Sequence, residues 1–314
     1  MRFVVPHYFK LSDQSFVSWI SDYTKSLFLS IEGFIEGYAL LFLLIRKYER
    51  RWPIFICAYQ ISLVAFNLFL YPTYVAPLYN RYTAMPECVL RDKIERLAQK
   101  AQFSLDIPIM VQDASKQTKT INARVEGFGP STRIVIWDNA INNLPEDETV
   151  AILAHEMGHY RLHHIYWNFL LTVLTSVAIV PINMIFAKRF AQMLPPKWGI
   201  RDLGDWAITP AFILVSSLFS FISTPVDNFY SRSIENQADL YALKITNNGP
   251  AFANAMIHMG GIGLDDPNVN PFVEFWLFDH PSIGKRVELA NQYTLEHPMG
   301  SGDNGSGDKG RENP

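Results

Sequence analysis

The sequence predicts a mainly α-helical, multi-pass membrane protein that carries a smaller α+β domain with a few short strands. Three observations predict it. Of 314 residues, 49% are hydrophobic and only 18% charged, and the apolar residues gather into four long runs instead of being spread with helical or strand period. Between the second and third runs the composition turns water-soluble, with a charged helical segment followed by β-branched stretches. A formal charge of −3 leaves no basic footprint for phosphate, which excludes nucleic acid as a partner. Cys57 and Cys88 allow one disulfide at most, so no disulfide framework holds the fold.

Residues 1–72 form an N-terminal membrane region with two predicted spans. The opening MRFVVPHYFK is interrupted by Pro6 and lacks the apolar core of a cleavable signal, so the first span itself directs insertion. That span runs from Leu27 to Ile45 with only Glu32 and Glu36 ionisable, long enough at ~1.5 Å per residue to cross a hydrocarbon core. A carboxylate pair at membrane depth is costly. It lines a polar reaction chamber, or the span begins later and the pair sits near the interface.

A cationic loop with Arg46, Lys47, Arg50 and Arg51 leads to the second span, Pro53 to Tyr71, which carries no charge. Residues 73–164 read as a water-soluble region. CVLRDKIERLAQKAQF (88–103) has helical pattern, and IPIMVQD (107–113) and RIVIWD (133–138) are β-branched runs bounded by polar, Pro or Gly segments. Residues 165–224 hold two further spans, Ile165–Phe186 and Trp206–Thr224, around a loop with Lys188, Arg189, Lys197 and Arg201. Residues 225–298 return to soluble composition, and 299–314 read as a disordered tail.

Chemistry concentrates in TVAILAHEMGHYRLHHIY, residues 149–166, where His155, Glu156 and His159 form H-E-x-x-H. On a helix the two histidines lie one turn apart on one face, so their rings converge on one metal ion, and Glu156 beside them can take a proton from an activated water. Pro145 and the acidic residues 146–148 supply a helix start, and Leu144, Val150, Ile152 and Leu153 an apolar stripe. The motif arises by chance in about one chain in a hundred of this composition, so its helical context matters.

Catalytic zinc needs a third protein ligand. Glu235 and Asp239, spaced i, i+4 in PVDNFYSRSIENQADLYALKIT (225–246), supply the best candidate: Glu235 as ligand and Asp239 as the acceptor that orients an imidazole. His163, two turns beyond His155, would span about 12 Å and is too far to share the ion. His163 and His164 are therefore read as supporting or capping the helix end.

These residues resemble the integral-membrane zinc metallopeptidases that include the type I CAAX prenyl proteases and, more distantly, the bacterial HtpX heat-shock proteases. HEMGHYRLHH (155–164) is similar to the family's HE-L-GH-W-K-L-GH block and SRSIENQAD (231–239) to its SRR-x-E-x-QAD block. NARVEGFGPSTRIVIWD (122–138) and DHPSIGKR (279–286) resemble two further blocks, so four in order cover roughly residues 70 to 295. The resemblance implies a zincin-like α+β catalytic domain with a small β-sheet, split between residues 73–164 and 225–298. It implies one zinc ion per chain on His155, His159 and Glu235, with Glu156 as base. It implies His280 and Arg286 as stabilisers of the tetrahedral intermediate, and Asn122 with Ala123 as the edge strand that pairs with substrate.

The resemblance departs at Arg124 and Val125, where prenyl proteases carry aromatic and apolar residues, and in the number of spans, which is higher in the CAAX type than the four read here. A prenylated C-terminus therefore does not follow as substrate. The expected partners are protein or peptide substrates and the lipid bilayer of the cell (inner) membrane. Both cationic loops belong in the cytoplasm by the positive-inside rule, which would put the histidine motif on the other side; the resemblance implies a cytoplasm-facing site, and that orientation is preferred. Two alternatives belong to other classes. An ion-coupled transporter would bind its cation at Glu32 and Glu36, and an inert scaffold would keep the fold without turnover.

Overall fold

The structure is a computed structural model and describes residues 2–104, 106–127, 129–193, 195 and 202–298; the proposed tail at 299–314, with Lys197 and Arg201, lies outside them. A short helix α1 (Val4–Tyr8) precedes α2 (Phe16–Lys47), which starts eleven residues before the predicted span. Ser15 caps it by accepting from Ser18 N. The second run forms α3 (Trp52–Ala65), continued through a π-helical turn at Phe66–Leu70 into α4 (Tyr71–Tyr74).

The soluble region supplies β1 (Tyr82–Ala84), α5 (Val89–Lys100), β2 (Ile109–Gln112), β3 (Ala123–Glu126), β4 (Arg133–Trp137), α6 (Asp138–Asn143) and α7 (Glu146–Arg161). The strands form one mixed sheet in the order β1-β2-β4-β3, with β2 and β4 parallel and both outer pairings antiparallel. Strand β3 is thus an edge, and α7 packs against it. The three-residue β1 is too short to leave a periodic signal in the sequence.

Helix α8 (His164–Met193) follows α7 almost directly, and α9 runs unbroken from Thr209 to Thr246. The boundary read at 224/225 therefore falls inside a helix, with Pro225 buried within it. Pro225 lacks the N–H that would bond Phe221 O, but the helix continues on both sides. Helices α10 (Gly249–Gly263), α11 (Pro271–Leu277) and α12 (Ile283–Glu296) complete the chain.

Two kinds of interior result. The soluble domain has a conventional core: Leu90, Ile94 and Leu97 of α5, Ile134 and Ile136 of β4, Leu153 and Met157 of α7, Leu243 of α9, and Phe252 and Met256 of α10. The four long helices share only small clusters, such as Phe42, Ala187, Ile208, Ala211 and Phe212, and expose Phe28, Ile35, Leu174, Phe186, Leu218 and Phe221. Apolar side chains on the outside of long apolar helices face lipid. Among the described residues four helices are long and apolar enough to cross a membrane, and the chain is a multi-pass membrane protein.

A cavity of about 280 Å³ lies between α2, α3, α8 and α9, lined on α2 by Gly33, Phe34, Gly37, Tyr38 and Leu41. Glu32 and Glu36 are exposed and, at 100° per residue, lie on the side of α2 away from that cavity.

Candidate metal centre

Helix α7 begins where the sequence places it, with Glu146, Asp147 and Glu148 in the first turn, where the helix dipole favours acids. Its C-terminal half carries His155 and His159 on one face, and α9 crosses that face. The crossing is close because Ala151, Ala154 and Gly158 of α7 and Ala238 and Ala242 of α9 are small. A Cβ at Gly158 would meet Ala238 Cα at 3.2 Å and Tyr241 Cδ1 at 3.1 Å. This proximity brings a carboxylate eighty residues away in sequence onto the two histidines.

The Nε2 atoms of His155 and His159 are 3.0 Å apart. Glu235 Oε2 lies 3.2 Å from the first and Glu235 Oε1 3.2 Å from the second. All three groups offer a ligand atom within 4.8 Å of one another. Glu235 is 5% exposed, and its Oε2 accepts no hydrogen bond.

Behind His155 stands a buried charge relay of a structural kind. His155 Nδ1 donates to Asp239 Oδ1 at 2.7 Å, which leaves the Nε2 lone pair directed at the centre. Asp239, fully buried, receives Arg286 Nε at 2.9 Å and Nη2 at 2.5 Å. Without a metal, burial pushes the His155 pKa down, but Asp239 and Glu235 outweigh it and raise it to about 9, so an ion held there would displace the Nε2 proton. Burial raises the Glu156 carboxyl above its ordinary value, against the opposing pull of His155 and His159. The Glu156 side chain makes no hydrogen bond to a described residue.

His159 has its own partner, which the sequence reading placed only as support for the helix end. His163 takes a left-handed backbone conformation at φ 60°, separating α7 from α8. His164 is thereby turned back so that its Nδ1 lies 3.0 Å from His159 Nδ1. With His159 Nδ1–H donating, His159 Nε2 is left free as a ligand. Only the reversal at His163 creates this contact, and helical spacing gave no signal of it.

His280 approaches from the opposite side, its Nε2 3.5 Å from Glu235 Oε1 and its Nδ1 2.9 Å from Asp279 Oδ1, with half of its side chain exposed. Its segment is clamped to α9: Arg232 Nη1 donates to Glu274 O and Phe278 O at 2.9 and 2.5 Å, and Asn228 Nδ2 to Trp276 O at 2.7 Å. Arg232 lies within SRSIENQAD, but a side chain that bonds main-chain carbonyls leaves no signal of that role in the sequence. Arg286 lies on the far side of His155, committed to Asp239.

Ala123 opens the edge strand β3, and the exposed Asn122 precedes it, its carbonyl accepting from Trp137 N at 3.0 Å. Alternation along an antiparallel edge then turns the N–H and C=O of Ala123 and Val125 outward, away from β4.

The residues fit a divalent metal. Two imidazole lone pairs and a carboxylate oxygen 3.0 to 3.2 Å apart repel or desolvate one another unless a cation stands between them. Ligand bonds of ~2.1 Å in a tetrahedral set hold donor atoms about 3.4 Å apart.

Comparison with known proteins agrees. Residues 85–294 match the model of peptidase family M48, and residues 1–81 match that of the CAAX prenyl protease N-terminal region, described as having five membrane helices. The chain is 30% identical over 284 residues to the uncharacterized metalloprotease YhfN of Bacillus subtilis, covering 90% of this chain and 66% of that protein. It is 28% identical over 307 residues to CAAX prenyl protease 1 of Saccharomyces cerevisiae, covering 91% of this chain and 66% of that protein. The crystal structure of S. mikatae Ste24p superimposes with a TM-score of 0.77 at 26% identity, covering 92% of this chain and 70% of that one. The chain thus spans just under two thirds of the length of these curated relatives. Nothing among these matches favours the ion-coupled transporter or the inert scaffold.

Proposed function

Since the chain belongs to peptidase family M48, we propose that it is a zinc-dependent endopeptidase that hydrolyses peptide bonds of proteins held at the membrane, including misfolded ones or ones with CAAX-like ends. The observation that carries the reading is the convergence of His155, His159 and Glu235, backed by Asp239 and Arg286. His155, His159 and Glu235 hold the ion. Zinc there supplies Lewis acidity, which activates water and polarises a carbonyl near neutral pH.

This chain's own residues do the rest. The outward N–H and C=O of Ala123 and Val125, with Asn122 at the strand entrance, pair with an extended substrate and align its backbone. Glu156 takes a proton from the attacking water and returns it to the leaving amine; its raised pKa suits it to both transfers. His280, exposed and facing the ligand carboxylate, donates to the oxygen on which negative charge develops. Arg286 assists through Asp239, keeping that carboxylate aimed at His155. We place the site on the cytoplasmic side of the cell membrane.

The test is cleavage of casein and of membrane-protein peptides by the purified chain in detergent, read by mass spectrometry, with zinc content measured in parallel. Glu156→Gln is expected to keep one zinc per chain and lose activity by at least ~10²-fold. Equal cleavage by the two proteins would remove the proposal.

A further inference from the structure

The end of the helical bundle opposite the metal centre carries a second concentration of charge. Arg46, Lys47, Arg50 and Arg51, at and beyond the end of α2, and Lys188 and Arg189, near the end of α8, are all exposed. None of the six forms an ion pair among the described residues. Glu49, Asp202 and Asp205 are the acids of the same region; Asp202 accepts from Gly204 N and Asp205 from Ala207 N. The balance is strongly positive.

Beneath this collar is a cavity of about 600 Å³ lined by Ala39, Phe42, Leu43, Arg46, Lys47 and Trp206. Its wall is apolar and its mouth cationic. Arg46 is fixed at that mouth: its Nε donates to Gly204 O at 2.8 Å, and its guanidinium lies 5.9 Å from the centre of the Trp206 ring. Trp206 in turn packs on Phe42, ring centres 4.6 Å apart. Gly204 permits the approach, since a Cβ there would meet Arg46 Cγ at 3.3 Å. The slot opens toward the lipid-facing surface, where Leu43 is 57% and Trp206 49% exposed.

We propose that this cavity binds an anionic phospholipid, with an acyl chain along Ala39, Phe42 and Leu43 and the phosphate at Arg46 and Lys47. An apolar slot ended by two cations beside an interfacial tryptophan matches the two halves of such a molecule. A zwitterionic lipid brings its own ammonium group, which the surrounding cations repel, so net negative charge is the selected property. The site is independent of the peptidase reading.

Native mass spectrometry of the purified full chain tests it, with phosphatidylglycerol and phosphatidylcholine of identical acyl chains supplied in equal amounts. Phosphatidylglycerol is expected to be retained at least about fivefold more. Lys47→Gln, chosen because Arg46 also braces the backbone at Gly204, is expected to weaken that retention about fivefold, the effect of one cation near an anionic surface. Lys100→Gln, on the soluble domain, retains the lipid as the wild type does. Equal retention of the two lipids, or unchanged retention in Lys47→Gln, overturns the proposal. Displacement of the lipid by inorganic phosphate alone also overturns it, because the acyl slot would then contribute nothing.

Discussion

Two ring nitrogens 3.0 Å apart, each required to present a lone pair, make the metal centre a problem of proton placement. Asp239 settles it for His155 by receiving the hydrogen on Nδ1, and His164 Nδ1 stands where it can receive that of His159. Asp239→Asn replaces a charged acceptor by a neutral one and strips Arg286 of its partner. Zinc affinity, measured by chelator competition, is expected to fall 10- to 100-fold, about the effect of losing an outer-shell partner. His164→Ala should lower it by a similar factor, whereas Glu156→Gln leaves it unchanged. His155, Glu156 and His159 were legible in the sequence because one helical turn suffices to bring them together. Glu235 was legible as the third ligand and Asp239 as its orienting partner from their spacing on one helix face, but not which imidazole each carboxylate meets, since only folding fixes that. His164 was illegible because its role depends on a left-handed residue, and histidine at position 163 gives no hint of one.

Elements enter through their spacing. Gly158 lets α7 and α9 touch, so Gly158→Ala sets two opposing effects against each other. Alanine favours a helix interior by about 1 kcal/mol over glycine, but its methyl group pushes on backbone at Ala238 that cannot yield without moving α9. Melting temperature is expected to stay within a few degrees while zinc affinity drops several-fold, because the shift separates Glu235 from the histidines. A stability loss with unchanged metal affinity would contradict this account. The segment from α11 to α12 is set by Glu274, which is 4% exposed and accepts from Ser282 N at 3.0 Å and Lys285 Nζ at 2.6 Å. Burial pushes its pKa up, but Lys285 and the Ser282 N–H outweigh burial and hold it below the ordinary glutamate value. A depressed pKa gives stability that is complete above the unfolded-state value and is lost as pH falls through the folded-state value. Glu274→Gln should therefore cost about 1–2 kcal/mol near pH 7, mostly from the charged hydrogen bond to Ser282 since Lys285 is exposed. In urea melts the deficit should shrink below about pH 4.5. Strands β2 and β4 were legible as β-branched runs bounded by polar, Pro or Gly segments, and helices α5 and α7 through their helical patterning. This clamp was not legible, because its contacts run from Arg232 to main-chain carbonyls and so leave no pattern in side-chain types.

At the scale of the whole molecule, one hydrogen bond fixes the levels of the two central helices. Asn183 Nδ2 donates to Ser216 Oγ at 2.8 Å, so antiparallel α8 and α9 are in register there. Nineteen residues on, His164 and Glu235 meet at the same height, about 28 Å away. The exposed apolar side chains of α9 run from Ile213 to Phe229, which leaves Glu235 about 9 Å beyond the lipid-facing belt. That spacing puts Glu235 just beyond the lipid-facing stretch, which fits the proposed action on a peptide whose other end is anchored in the bilayer. Orientation can be read from the native thiols: Cys57 lies in α3, and Cys88 is exposed on the soluble domain. With a cytoplasm-facing site, a membrane-impermeant maleimide should leave intact cells unlabelled and label Cys88 in inverted vesicles. Labelling of intact cells would reverse the assignment. Four apolar runs long enough to span were readable from composition, but the continuity of α9 was not, because Pro225 marks a helix end more often than a helix interior.

That continuity has a mechanical side. The carboxylate placed to grip a metal and the stretch that sits in lipid belong to a single rod of 38 residues, about 57 Å long, with its proline inside the lipid-facing portion, one turn from the end nearer Glu235. A thinner or thicker bilayer that tips the embedded portion swings the far end through an arc, and Glu235 rides on that far end. The histidines sit on α7, which packs both on α9 and on the sheet, so such a tilt would strain the α7–α9 crossing on which the alignment of the third ligand with the other two depends.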